Sequence, residues 1–224
     1  MLAFHLGKIP VRVHPAFLIM GAFLGMRLGS NIAALAMWIV VLFVSVMAHE
    51  LGHAYAGIGF GLDPQIDLHG MGGTTSWRHK DVSTAKKILI SIAGPAVGIF
   101  FGGILYFAEP GIMSSDASRM LKLAVDLGIQ VNLYWGALNL LPIMPLDGGN
   151  AMATALGGGM GEKGLRIARY VSVVVAVGGG LYWFVTHPDI ANNWWPLLLA
   201  AMFTFQNIQA LKPATTTPVR PQQW

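Results

Sequence analysis

Residues 38–57 read WIVVLFVSVMAHELGHAYAG, an apolar run with two histidines and a glutamate set into its second half. A spanning helix needs about 20 mostly apolar residues. With its flanks, from about Asn31 to Gly57, the run is long enough to cross a bilayer with some tilt. Five more stretches have similar character: Ala16 to Leu28, Lys87 to Phe107, Leu121 to Leu141, Arg166 to Thr186 and Trp194 to Leu211. The first of them is short, is interrupted by Arg27, and opens after His14-Pro15, where proline suits a first helical turn. Trp194 and Trp195 suit an interfacial anchor for the last. The expected fold is an all-α polytopic membrane protein with about six transmembrane helices, multi-pass in the cell membrane.

Composition agrees. The chain of 224 residues is 54% hydrophobic and only 11% charged, with a mean hydropathy of +0.59. Soluble domains carry roughly 25% charged residues, so a surface this poor in charge belongs in lipid. The net charge of +4 is small, and the basic residues fall between apolar stretches rather than in a stripe, which argues against a nucleic-acid partner. With no cysteine, disulfides and thiolate metal sites are excluded, so any metal is held by histidine and carboxylate. Met1 to Pro15 lacks the apolar core and cleavage site of a removable signal. Residues 1–211 read as one transmembrane domain, and the Pro- and Thr-rich residues 212–224 as a disordered cytoplasmic tail.

Between the second and third stretches, Gly59 to Trp77 is different in kind. Ile66 and Leu68 alternate with Gln65, Asp67 and His69, and Gly70, Gly72 and Gly73 follow. That is strand periodicity ending in a turn, and it predicts a short membrane-associated β-hairpin. Beside membrane helices such backbone must be buried in protein or line a wet cavity.

Alternation of six spans sorts the basic residues. One side carries Lys8, Arg12, Arg78, Lys80, Lys86, Lys87, Lys163, Arg166, Arg169, Lys212 and Arg220; the other carries Arg27, Arg119 and Lys122. The positive-inside rule then places both termini in the cytoplasm.

The second span ends in Ala48-His49-Glu50-Leu51-Gly52-His53. Residues four apart share a helix face, so His49 and His53 can turn nitrogen toward one ion. Glu50 between them can reach water at that ion without being a ligand, which is the HExxH arrangement of a zinc site with a carboxylate general base. Ionisable groups inside a span are costly and mark function. A catalytic zinc takes three protein ligands. Asp63, Asp67, Glu109, Asp116, Glu162 and Asp147 are the candidates for the third. Asp147 is favoured, because the second and fourth spans run in the same direction and Asp147 lies just past the end of the fourth, at the depth of the histidines. Pro142 and Pro145 before it break the helix and free backbone groups, which is tolerated where they line a polar cavity. His14 and His69 lie near enough in sequence to the site to be noted, without an assigned role.

His49-Glu50-x-x-His53 paired with Asn139-x-x-Pro142-x-x-Pro145-Leu146-Asp147-Gly148 resembles the motif pair of the site-2 protease family, the intramembrane zinc metalloproteases. The resemblance covers the second to fourth spans. It implies one zinc per chain held by His49, His53 and Asp147, with Glu50 as catalytic base and Asn139 assisting the substrate carbonyl or its oxyanion. It also implies that the strand around Gly70, Gly72 and Gly73 binds an extended substrate, since a helical peptide bond must be unwound before attack. Implied substrates are single-span membrane proteins such as membrane-tethered transcription regulators or anti-sigma factors. Val13-His14-Pro15 and Gly72-Gly73-Thr74 are similar to the branch containing the sporulation proteases of bacilli. Neither the CBS domain often carried by that branch nor the PDZ domain of other branches is expected. Ala93-Gly94-Pro95 matches a family pattern, but Val97 and Gly98 stand where an Asn often follows.

Overall fold

The computed structural model describes residues 1–28, 31–77, 82–187, 189 and 194–212. The expected disordered tail falls, apart from Lys212, outside the described residues.

The chain opens with two antiparallel strands, β1 (Leu2–Leu6) and β2 (Ile9–Val13), followed by α1 (Pro15–Gly25), which ends in a tight 3-10 turn at Met26–Leu28. Next come α2 (Ile32–Gly59), the hairpin β3 (Pro64–His69) and β4 (Gly72–Trp77), and α3 (Thr84–Ser114). Helix α4 (Arg119–Ile129) runs through one π-helical turn, Gln130–Tyr134, into α5 (Trp135–Asn139). A loop leads to α6 (Asp147–Met160), α7 (Glu162–Thr186) and α8 (Trp195–Leu211).

Among the described residues, three helices are long and apolar enough to cross a membrane, α2, α3 and α7. The other expected spans coincide with α1, with the α4–α5 column and with α8, which are shorter or interrupted. Phe107 is 84% exposed and Val174 70% exposed, in keeping with an apolar belt turned to lipid.

The expected all-α architecture with one hairpin is corrected in one respect: the hairpin β3–β4 belongs to a four-stranded sheet of order β1-β2-β3-β4. Strand β2 pairs parallel with β3, Val11 opposite Ile66 and Val13 opposite Leu68. Arg12 faces Asp67 across the same ladder, its Nε 2.7 Å from the carboxylate. Period-two alternation explains this pairing, because Ile9, Val11, Val13, Ile66 and Leu68 all point to one face. That face meets Phe17 of α1 and Leu42, Met47 and Ala54 of α2 in one buried cluster. The sheet is therefore pinned to the helix that carries the histidines, with β4 as its free edge.

In lipid, helices gain little from burying apolar surface against one another, and small residues that allow close approach matter more. Helix α2 lies along α3 where Gly52 meets Ala93 and Gly94. Helix α6 sits between α3 and α7, and α8 lies along α7.

Candidate active site

His49, Glu50 and His53 fall on consecutive turns of α2, and the Asp147 side chain comes to them from the first residue of α6. The Asp147 carboxylate is 3.0 Å from His49 Nε2 and 3.4 Å from His53 Nε2. The two Nε2 atoms are 3.1 Å apart. Ligand atoms about 2.0–2.1 Å from one zinc at tetrahedral angles stand about 3.3 Å from each other. The triangle thus has the size that zinc requires, and among the described residues these three form the group that could hold a metal ion.

Orientation of His53 comes from α3. Its Nδ1 lies 2.7 Å from the Ile90 carbonyl oxygen, so Nδ1 carries the proton and Nε2 is free to bind. Pro95, inside α3, has no N–H for the Ser91 carbonyl, which lies next to the Ile90 carbonyl that meets the imidazole. At Gly94 an added Cβ would collide with the His53 ring. The α3 segment Ala93-Gly94-Pro95 is therefore the seat of one candidate ligand.

Asp147 is placed by the loop before it. Cβ atoms at Gly148 and Gly149 would strike the Leu140, Leu141, Ile143 and Met144 backbone, so the loop folds back on the start of α6 only because both are glycine. Asn150 Nδ2 donates to the Pro145 carbonyl at 2.9 Å and closes the same turn.

Glu50 is 4% exposed. The Thr75 hydroxyl reaches its carboxylate at 2.7 Å and its backbone carbonyl at 3.1 Å. Strand β4 is thus anchored over the carboxylate, with Gly73 packed flat against the Glu50 side chain.

A cavity of about 460 Å³ connects these groups. His49, Glu50, His53, Asp147 and Asn139, the last residue of α5, all line it, as do Gly72 and Gly73. Gly70 does not; it packs against Ala16 of α1. His69 lines the cavity and is held by Thr74 Oγ1 at 2.8 Å, whereas His14 stands 3.8 Å from Asp67 on the sheet. Asp63, Glu109, Asp116 and Glu162 are not among the lining residues, and Asp67 pairs with Arg12.

Three cavity residues escaped the reading of the sequence: Thr75, Ser45 and Asn132. Asn132, in the π-helical turn, donates to Ser45 Oγ and to the Gly128 carbonyl, each at 2.8 Å, and ties the turn to α2 one helical turn before His49. Polar side chains in otherwise apolar spans were the available signal for Ser45 and Asn132. A π turn inside an α-helix is itself a frequent mark of a functional site.

No family model matches the chain. Among curated proteins it is similar to a zinc metalloprotease of Methanocaldococcus jannaschii, 28% identical over 78% of this chain and 51% of that one. It is also similar to stage IV sporulation protein FB of Bacillus subtilis, 33% identical over 64% of this chain and 46% of that one. The chain thus spans about half the length of each. Its fold matches the solved site-2 protease from M. jannaschii with a TM-score of 0.63 at 22% identity, covering 95% of both chains. Relatives named for zinc proteolysis agree with the HExxH and Asp147 geometry, and the chain has the fold of the solved site-2 protease.

Proposed function

We propose that this chain is an intramembrane zinc-dependent endopeptidase that cleaves single-span membrane proteins. The observation that carries the reading is the convergence, in one cavity, of a zinc-sized ligand triangle, a buried carboxylate and a free strand edge. Six helical columns cross the membrane and both termini face the cytoplasm. His49, His53 and Asp147 hold one zinc. A bound zinc supplies Lewis acidity, which makes water a nucleophile near neutral pH.

The chain's own residues do the rest. The edge of β4 pairs with an unwound stretch of substrate and holds its peptide bond extended beside Glu50. Gly72 and Gly73 keep that edge bare enough for a second backbone to approach. Glu50 takes a proton from the attacking water and returns it to the leaving amine. The Asn139 side-chain amide donates to the carbonyl oxygen as negative charge develops there. Substrates are membrane-tethered regulators, in keeping with the similarity to a sporulation protein.

The test is cleavage of a panel of single-span membrane proteins by purified wild type beside Glu50→Gln, with bound zinc assayed on both. Cleavage by wild type alone, with zinc on both, is the expected result. A mutant that cuts as fast as wild type overturns the role of Glu50. Zinc on both with no cleavage by either, across substrates that include membrane-tethered regulators, overturns the protease reading.

A further inference from the structure

Two buried polar side chains on the last two helices bind the backbone N–H and C=O of one residue, Met144, in the loop that carries Asp147. Ser172, on α7, accepts a hydrogen bond from the Met144 N–H at 3.0 Å and donates to the Ala168 carbonyl at 2.8 Å. Asn207, on α8, donates from Nδ2 to the Met144 carbonyl at 2.7 Å and to the Phe203 carbonyl at 2.8 Å. Ser172 is fully buried and Asn207 is 2% exposed. The Met144 backbone is thereby fixed from outside through the peptide planes on both sides of its Cα, while Gly149 packs against it from the α6 side.

Stability of the bundle alone does not account for the asparagine. Both Nδ2 protons are used, but Asn207 Oδ1 is buried with no hydrogen-bond partner among the described residues. An unsatisfied buried acceptor costs about 1–3 kcal/mol. A leucine, with the same branched shape, would carry no such acceptor, but it would leave the Met144 carbonyl without this donor. Polar groups inside membrane helices face the bundle interior and mark function. The one thing Asn207 and Ser172 share is Met144, three residues before Asp147. Pro145, with its ring-fixed φ, and Leu146 are all that separate the clamp from the carboxylate.

We propose that Ser172 and Asn207 are positioning residues of the metal centre: by clamping the Met144 backbone they hold Asp147 opposite His49 and His53. This rests on the reading that those three residues bind zinc. The clamp acts on the ligand through the backbone, as outer partners of metal ligands do elsewhere, where their loss weakens binding about 10–100-fold.

The experiment measures zinc affinity of the full chain in detergent by competition with a chromophoric chelator. It compares wild type, Ser172→Ala, Asn207→Leu, the double variant and Ser172→Thr, with Asp147→Ala as the benchmark for a missing ligand. Metal-free thermal midpoints and the absorption of the cobalt-loaded proteins are read on the same samples. Each single variant is expected to bind zinc about 10–100-fold more weakly, and the double variant to approach Asp147→Ala. Ser172→Thr, which keeps the hydroxyl, stays near wild type. Cobalt spectra change in the weakened variants, whether or not the metal-free midpoints fall with the lost hydrogen bond. A purely structural role would lower the midpoints and leave zinc affinity and cobalt spectrum unchanged, and that result overturns the inference. Should Asn207→Leu not fold, the Ser172→Ala and Ser172→Thr pair decides alone: equal zinc affinity in the two overturns it. If wild type holds no zinc, the metal-centre reading falls first and takes this role with it. If wild type holds zinc and the variants hold it as tightly, only the clamp falls.

Discussion

Gly73 is where a single methyl group would matter most. A Cβ there would stand 2.5 Å from the Glu50 side chain, while one at Gly70 would make ordinary contact with Ala16 at 3.5 Å. Overpacking of a tight contact costs about 1–3 kcal/mol, and about 1.4 kcal/mol is a factor of ten. Gly73→Ala is therefore expected to lower kcat/KM for a cleaved substrate about tenfold or more without loss of zinc, and Gly70→Ala to leave both unchanged. Equal activities for the two would separate β4 from the catalytic carboxylate. At this scale the sequence disclosed those side chains whose chemistry is rare inside a membrane. His49, Glu50 and His53 announce themselves because helical spacing puts two imidazoles on one face of an apolar run, and Asp147 because it closes the loop after the fourth stretch. Thr75 gave no such signal. A threonine in a strand is ordinary, and only the fold shows that its hydroxyl meets Glu50.

Among the elements, α3 is both a membrane span and the seat of His53. An alanine at residue 94 would push the imidazole off its line to the Ile90 carbonyl. Gly94→Ala is expected to reduce zinc affinity by at least tenfold and to destabilise the fold by about 1–3 kcal/mol. Gly103→Ala, on the same helix but with no neighbour within 4 Å of the added atom, should instead gain up to about 1 kcal/mol from helix propensity. Chelator competition and thermal melts in detergent read both. The long helices were legible because α2, α3 and α7 are continuous apolar runs, and β3–β4 because Ile66 and Leu68 alternate. Helix α6 was not. Gly148, Gly149, Gly157, Gly158 and Gly159 weaken intrinsic helix preference, while Gly157 and Gly158 let the segment lie close to Leu165 of α7 and Thr84 of α3. Strands β1 and β2 were missed although Ile9, Val11 and Val13 alternate, because Pro10 in so short a run argues against a strand. Their parallel pairing with β3 is a long-range contact that no local pattern announces.

For the molecule as a whole, helix lengths decide which columns cross the bilayer. At 1.5 Å per residue, α6 with its 14 residues is about 21 Å long, short of the roughly 30 Å hydrocarbon core. The column from Arg119 to Asn139 is about 31 Å, long enough to span. On the proposed topology α6 is expected to enter the membrane only part-way, with Asp147 at the depth of His49, which itself lies about 26 Å along α2 from Ile32. If α6 turns back rather than crossing, the loop before α4 and the turn after α6 stand on opposite sides of the membrane. The chain has no cysteine, so single introduced thiols report on this without background. Asp116→Cys, between α3 and α4, is expected to react with a membrane-impermeant maleimide in intact cells. Lys8→Cys, at the β1–β2 turn, and Glu162→Cys, at the start of α7, are expected to react only after permeabilisation. That pattern matches the concentration of lysine and arginine on the side of Lys8, Lys163 and Arg166. Labelling of Asp116→Cys and Glu162→Cys from the same side would mean that α6 crosses, and the half-membrane placement of α6 would fall.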